Sequence, residues 1–182
     1  MIEVEKKFQP TEEQLAGLLK DSEFIGEVVN NDILYDFSDY RLLQEDIRIR
    51  NRNGKFELKI PRGKSGDEEI DNEEEIKKYF GTEEILKDFI AKNLLVLMKV
   101  VTHRKKYKKG GFAIDVDSLD FGYKVCEIEL LVENEDQIEV ASDKILDLAK
   151  KYNFQVKNLP TKREMFLKLF RPDLHKRFYP SK

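Results

Sequence analysis

Five short stretches of the chain alternate between apolar and charged side chains. The first, Met1-Ile-Glu-Val-Glu-Lys-Lys-Phe8, sets Ile2, Val4 and Phe8 against Glu3, Glu5 and Lys7. A strand points successive side chains to opposite faces, so the pattern makes one apolar face and one charged face. Asp46 to Asn53 does the same, with Ile47 and Ile49 opposed to Arg48, Arg50 and Arg52. Lys55 to Ile60 opposes Phe56, Leu58 and Ile60 to Lys55, Glu57 and Lys59. Between these two, Asn53-Gly54 signals a hairpin, because both residues tolerate the positive φ of a type I′ turn. Phe112 to Ser118 opposes Asp115 and Asp117 to Ile114 and Val116, and Val125 to Leu130 opposes Glu127 and Glu129 to Cys126, Ile128 and Leu130.

Three further strands are expected. Phe24 to Phe37 is rich in Ile, Val, Tyr and Phe and reads as one long or bent strand, with a bulge signal at Asn30-Asn31-Asp32. Val96 to Lys109 begins apolar and ends basic before Gly110-Gly111, and Phe154 to Val156 reads as a last short strand. Helical spacing predicts covering helices from Pro10-Thr11, across Ser38 to Glu45, as a pair within Ile76 to Leu95 broken at Gly81-Thr82, and over Ile138 to Tyr152. The last of these should bury Val140, Ile145, Leu148 and Ala149. Thr161 to Phe170 predicts a final helix, stopped by Arg171-Pro172 before a basic tail. Arg62 to Glu75 is polar and acidic, and reads as a mobile surface loop.

The 182 residues suit one domain over 1–182, with 40% apolar and 38% charged residues. A net charge of −3 argues against a nucleic-acid or anionic-membrane binder. There is no apolar run of eighteen residues, and the chain opens on a charged strand, so the expectation is a cytoplasmic protein without membrane span or signal peptide; a monomer is expected separately, with nothing in the sequence that fixes the oligomeric state. The single Cys126 has no disulfide partner, and His103 and His175 give no zinc spacing. Arg52 and Lys55 flank a turn and read as solvated. The Lys105 to Lys109 run reads as a wet strand end, with anion steering as the sharper alternative.

The acids and bases are sorted by strand. Adjacent same-face carboxylates about 7 Å apart repel by about 2 kcal/mol at an effective dielectric near 20, so a cation belongs between them. With helices over the apolar faces, the charged faces would line an α+β fold built on an eight-stranded antiparallel barrel, a tunnel wide enough for a small ligand. Arginines and lysines there would hold an elongated anion, and the carboxylates divalent cations. Triphosphate chemistry needs that combination.

Glu3-x-Glu5-x-Lys7 resembles the ExExK signature of the CYTH family, the triphosphate tunnel metalloenzymes. Arg48-x-Arg50, Glu57-x-Lys59, Arg104, Asp115-x-Asp117 and Glu127-x-Glu129 follow in the family's order over nearly the whole chain. Asp120-Phe-Gly-Tyr123, Lys162 and Phe170-Arg-Pro172 most resemble the family's thiamine triphosphatase branch. The resemblance implies a magnesium-dependent hydrolase, with manganese as an alternative metal, acting on a small-molecule triphosphate. Lys7, Arg48, Arg50, Lys59, Arg104 and Lys162 would hold the phosphates. Glu3, Glu5, Asp115, Asp117, Glu127 and Glu129 would bind metal, with Asp115 the weaker candidate. Glu127 and Glu129 would also serve the reaction, and Lys59 would favour the phenolate of Tyr35 as a base.

The chain contains no tryptophan, whereas mammalian members of that branch stack the thiamine ring on one shortly before the RxR strand. Asp46 or Ile47 stands there. The expected substrate is therefore inorganic tripolyphosphate, with thiamine triphosphate as a secondary one. A thiamine triphosphatase proper, a class IV-type adenylyl cyclase and a non-catalytic polyphosphate-binding module are the alternatives.

Overall fold

A computed structural model describes residues 2–62 and 67–180. Eight antiparallel strands follow one another in the order β1-β8-β7-β6-β2-β3-β4-β5, and seven α-helices accompany them among the described residues. The strands are β1 (Ile2–Phe8), β2 (Glu23–Asp36), β3 (Arg48–Arg52), β4 (Lys55–Pro61), β5 (Asp67–Ile70), β6 (Leu95–Lys109), β7 (Phe112–Leu119) and β8 (Lys124–Val132). The helices are α1 (Glu12–Leu19), α2 (Arg41–Gln44), α3 (Glu73–Phe80), α4 (Leu86–Asn93), α5 (Ile138–Lys151), α6 (Lys162–Phe170) and α7 (Pro172–Phe178). None of the described helices is long and apolar enough to cross a membrane. The chain forms two compact units, Met1–Val29 with Thr102–Pro160, and Asn30–Val101 with Thr161–Lys182.

In the first unit, β1 pairs with β8 in the register Val4↔Leu130, Glu5↔Glu129, Lys7↔Glu127 and Phe8↔Cys126. Directly paired residues share a face, so the apolar side collects Val4, Phe8, Cys126 and Ile128 under Ala141, Ile145 and Ala149 of α5. That i, i+4, i+8 stripe sets the rotation of α5 and leaves Val140 55% exposed, against the expectation of a buried valine. Thr11 and Gln14 close a capping box at the start of α1. The far end of α1 is held by Lys109, whose Nζ donates to the Leu18 carbonyl at 2.7 Å and to that of Lys20. One member of the basic run is therefore a helix C-cap. The expected strand at Phe154 to Val156 does not form. Phe154 is instead a buried plug, its ring 5.6 Å from that of Phe8.

In the second unit, β3 and β4 form the expected hairpin, with Asn53 at φ 50° and Gly54 at φ 93°. Ile49, Phe56, Leu58 and Ile60 pack against Ile76, Leu86 and Ile90 from α3 and α4. The carboxylate of Asp36 is fully buried and accepts from the N–H groups of Phe37, Leu42 and Leu43 at 2.7, 3.1 and 2.9 Å, which fixes the entry into α2. Two expectations are corrected here. The acidic segment expected as a loop contains the eighth strand, β5, and its residues 63–66 lie outside the described residues. Arg171-Pro172 ends α6 but also begins α7, because proline suits the first position of a helix as well as it blocks an interior one.

Candidate functional site

The registers of the first unit put the sorted acids of three strands on one face. Glu5 pairs with Glu129, Lys7 with Glu127, Asp115 with Glu127, and Arg104 with Asp117. Arg104 is the hub. Its Nε and Nη2 donate to the two oxygens of Asp117 at 2.7 Å each, Nη2 also to Glu127 at 2.6 Å, and Nη1 to Asp115. All three carboxylates are buried, Asp117 completely. Burial by itself would lower the pKa of the guanidinium, but Asp117, Glu127 and Asp115 outweigh it and raise it. Lys7 is paired with Glu5 and lies 3.7 Å from Glu127.

Two groups of carboxylates could hold a divalent cation: Glu3, Glu5 and Glu129, and Asp115, Glu127 and Glu129. Within each group one oxygen per residue lies within 4.8 Å of the others. Hard carboxylate oxygens suit magnesium, calcium or manganese. Two observations support that fit. Asp115 Oδ1 is buried without a hydrogen-bond partner, although the other oxygen of that carboxylate binds Arg104. Glu129 has its pKa pushed up to about 8, by burial first and then by the charges of Glu3, Asp115, Glu127 and Glu5. The pKa of Asp115 is likewise raised by burial, with Arg104 and Lys106 acting in opposition. Such crowding is relieved when a cation replaces the shared protons. Asp117, expected as a metal ligand, lies in neither group; both its oxygens anchor Arg104.

In the second unit, Arg48, Arg50, Arg52 and Lys59 line a pocket of about 310 Å³ together with Leu34, Glu57, Leu58, Glu69, Ile70 and Asp71. Arg52, expected to be solvated, is part of this wall and donates to both oxygens of the buried Asp32 at 2.7 and 2.8 Å. Arg50 Nε donates to Glu57 at 2.6 Å, Arg48 Nη2 to Asp67 at 2.6 Å, and Lys59 Nζ lies 2.8 Å from Glu69 and 3.4 Å from Asp67. Burial opposes the charge of Lys59, but the hydrogen bond and charge of Glu69 keep its pKa raised; reciprocally, burial would raise Glu69, yet Lys59 holds it low. Both groups stay ionised.

Tyr35 requires a correction. It pairs with Ile49, whereas Lys59 pairs with Arg48, so tyrosine and lysine occupy opposite faces of the strands. The Tyr35 ring packs 6.4 Å from that of Phe56, and burial raises its pKa, which disfavours the phenolate. Its neighbour Leu34, paired with Arg50, is the residue that reaches the cationic wall. Lys162 is the first residue of α6, directly after its N-cap Thr161, and is half-buried.

Sequence reading missed Asp32, Asp67 and Glu69. The i, i+2 acids of Asp67-Glu68-Glu69 repeat the spacing seen in other strands, but only Ile70 supplies an apolar residue there, so the alternation had no second face to reveal it.

Residues 1–162 match the model of the CYTH domain, and the chain belongs to that family. Among its relatives, the thiamine-triphosphatases of Homo sapiens and Macaca fascicularis are 29% and 31% identical to it, each match covering 97% of this chain and 89% of the relative. Among solved structures, the PH1819 protein from Pyrococcus horikoshii OT3 superposes with a TM-score of 0.66 at 25% identity, covering 92% of this chain and 99% of that one.

Proposed function

We propose that this protein is a divalent-metal-dependent hydrolase that releases the terminal phosphate of inorganic tripolyphosphate, with thiamine triphosphate as a secondary substrate. The observation that carries the proposal is the presence in one chain of two complementary surfaces, a crowded carboxylate cluster and a pocket walled by three arginines and a lysine. The thiamine-triphosphatase relatives support the triphosphate class. The choice of inorganic substrate rests on the pocket wall, where no described residue is aromatic. Asp46, shortly before the RxR strand, has φ 57° and is engaged by Arg163, and Ile47 is buried in the core. An organic ring would gain little from such a wall.

In this reading Lys7, Arg48, Arg50, Lys59, Arg104 and Lys162 bind phosphate oxygens, and Glu3, Glu5, Asp115, Glu127 and Glu129 hold magnesium or manganese. A bound divalent ion would supply charge neutralisation and an acidified water. Arg104 holds Asp115 and Glu127 in place through one contact each, and Asp117 fixes Arg104 through two. Lys59, kept protonated, contributes positive charge where negative charge gathers on the transferred group. Tyr35 has no part in the reaction.

The test is phosphate release from tripolyphosphate, thiamine triphosphate and ATP with magnesium, manganese or chelator. The expected result is the highest kcat/KM for tripolyphosphate and no turnover in chelator. A higher value for thiamine triphosphate would overturn the substrate choice. Cyclic AMP from ATP would assign a cyclase, and tight binding without release a binding module.

A further inference from the structure

The four cations of the pocket wall have two kinds of counter-anion. Asp32 is buried and Glu57 lies on β4 itself, between β3 and β5. Asp67 and Glu69 belong to the four-residue β5, which ends the strand order, and the side chain of Glu69 is 59% exposed. The β4–β5 register sets Lys59 opposite Glu69 and Pro61 opposite Asp67, so both acids of β5 lie on the cationic face while Glu68 lies on the other, where it binds Arg62. Ile70 is the only apolar side chain in β5 and it is half-buried, so little hydrophobic burial fastens this strand. Its acids also satisfy the cations incompletely: Arg48 Nε is buried and has no acceptor.

Resting on the proposed triphosphatase reading, we infer that Asp67 and Glu69 are resident counter-anions seated where phosphates bind, and that they set a charge threshold which admits polyphosphates and expels orthophosphate. A ligand reaches Arg48 and Lys59 only by displacing two carboxylates. One orthophosphate carries a charge between about −1 and −2 near neutrality, no more than the pair it must displace. A tripolyphosphate brings several linked phosphates, so it exchanges one pair of anions for a longer, connected set of contacts. After cleavage the single phosphate loses that advantage, and Asp67 and Glu69 reclaim the cations. These two acids are specificity-determining residues. They do not take part in bond cleavage.

The experiment compares wild type with E69Q, D67N/E69Q and, as a control, E68Q. Orthophosphate and tripolyphosphate binding are measured calorimetrically in chelator, and product inhibition and KM in turnover with magnesium. The expected result is that orthophosphate binds E69Q and the double variant roughly threefold to tenfold more tightly, the range carried by one or two part-exposed ion pairs. Tripolyphosphate should gain less, and E68Q should match wild type. Unchanged or weaker orthophosphate binding in E69Q overturns the inference, and so does an equal gain in E68Q, which would mark a net-charge effect. If the double variant does not fold, the exposed Glu69 position decides alone. Wild-type protein that neither binds nor cleaves tripolyphosphate would defeat the proposed function itself, whereas cleavage with unaltered orthophosphate affinity in E69Q would defeat only the threshold.

Discussion

Replacing Arg104 with methionine tests the electrostatic arrangement of the acid cluster. The substitution keeps an unbranched chain and removes a group that touches Asp115, Asp117 and Glu127 together. Those carboxylates are 2%, 0% and 4% exposed, so water cannot take over. Breaking a buried pair by removing one partner costs about 3–5 kcal/mol, because the remaining charge stays buried. For a chain of this size that corresponds to a Tm lower by roughly 6–20 °C at neutral pH in chelator. Two conditions should return part of the loss. Lowering the pH protonates the stranded acids, and millimolar magnesium or manganese occupies them, stabilising the variant more than wild type by linkage. Thermal unfolding followed by circular dichroism, with and without metal and across pH, measures all three. A loss below about 3 °C, or equal metal protection in both proteins, would refute the picture of Arg104 as the cation that holds this cluster together.

Three other outcomes follow from the geometry. Glu129 has a folded pKa raised to about 8, so it binds a proton more tightly in the folded chain than in the unfolded one. Its contribution to metal-free stability is full below the ordinary carboxylate pKa near 4.5 and is lost as pH rises toward 8; E129Q should flatten that decline in a Tm series, and a steeper decline would count against it. Tyr35→Phe should leave kcat within about twofold, since a general base is worth roughly a hundredfold or more; a loss of that size in the phosphate-release assay would return Tyr35 to the reaction. Asp36→Ala strands three N–H donors and should cost about 2–4 kcal/mol in urea unfolding, with Asp36→Asn losing less because it keeps an acceptor.

The fold was most legible where burial and alternation coincide. Ile47, Ile49, Phe56, Leu58 and Ile60 are all buried, and the opposite parity carries every cation of the pocket wall. Legibility failed where only one of those signals existed. β5 alternates in position but has acids on both faces, so it looked like loop. Phe154 is apolar but stands alone, so its pattern does not separate a strand from a plug, and its burial comes from an aromatic contact with Phe8 and packing against α5. The chemical role of Tyr35 rests on resemblance alone, and its parity with Ile49 places it on the apolar face. Strand parity could have shown this, had the β2–β3 register been known. Which carboxylate faces a cation and which faces another acid depends on such registers, and no single strand contains them.

The two units solve the same problem with opposite signs. In the first, acids are in excess and Arg104 and Lys7 are internal cations; in the second, cations are gathered and Asp32, Glu57, Asp67 and Glu69 are internal anions. Leaving either set bare would cost far more than folding could return, since unpaired charge in a half-buried setting is strongly penalised. The chain therefore folds with its own ions standing in for ligands. Binding then becomes an exchange of partners, and its free energy is the difference between two good pairings, not the whole of one. Affinity for any single phosphate or metal ion should be moderate, and selectivity should come from ligands that replace several internal partners at once. On the cationic wall a linked triphosphate is the kind of ligand that meets this requirement; on the acid cluster a divalent ion, held by several carboxylates at once, does so.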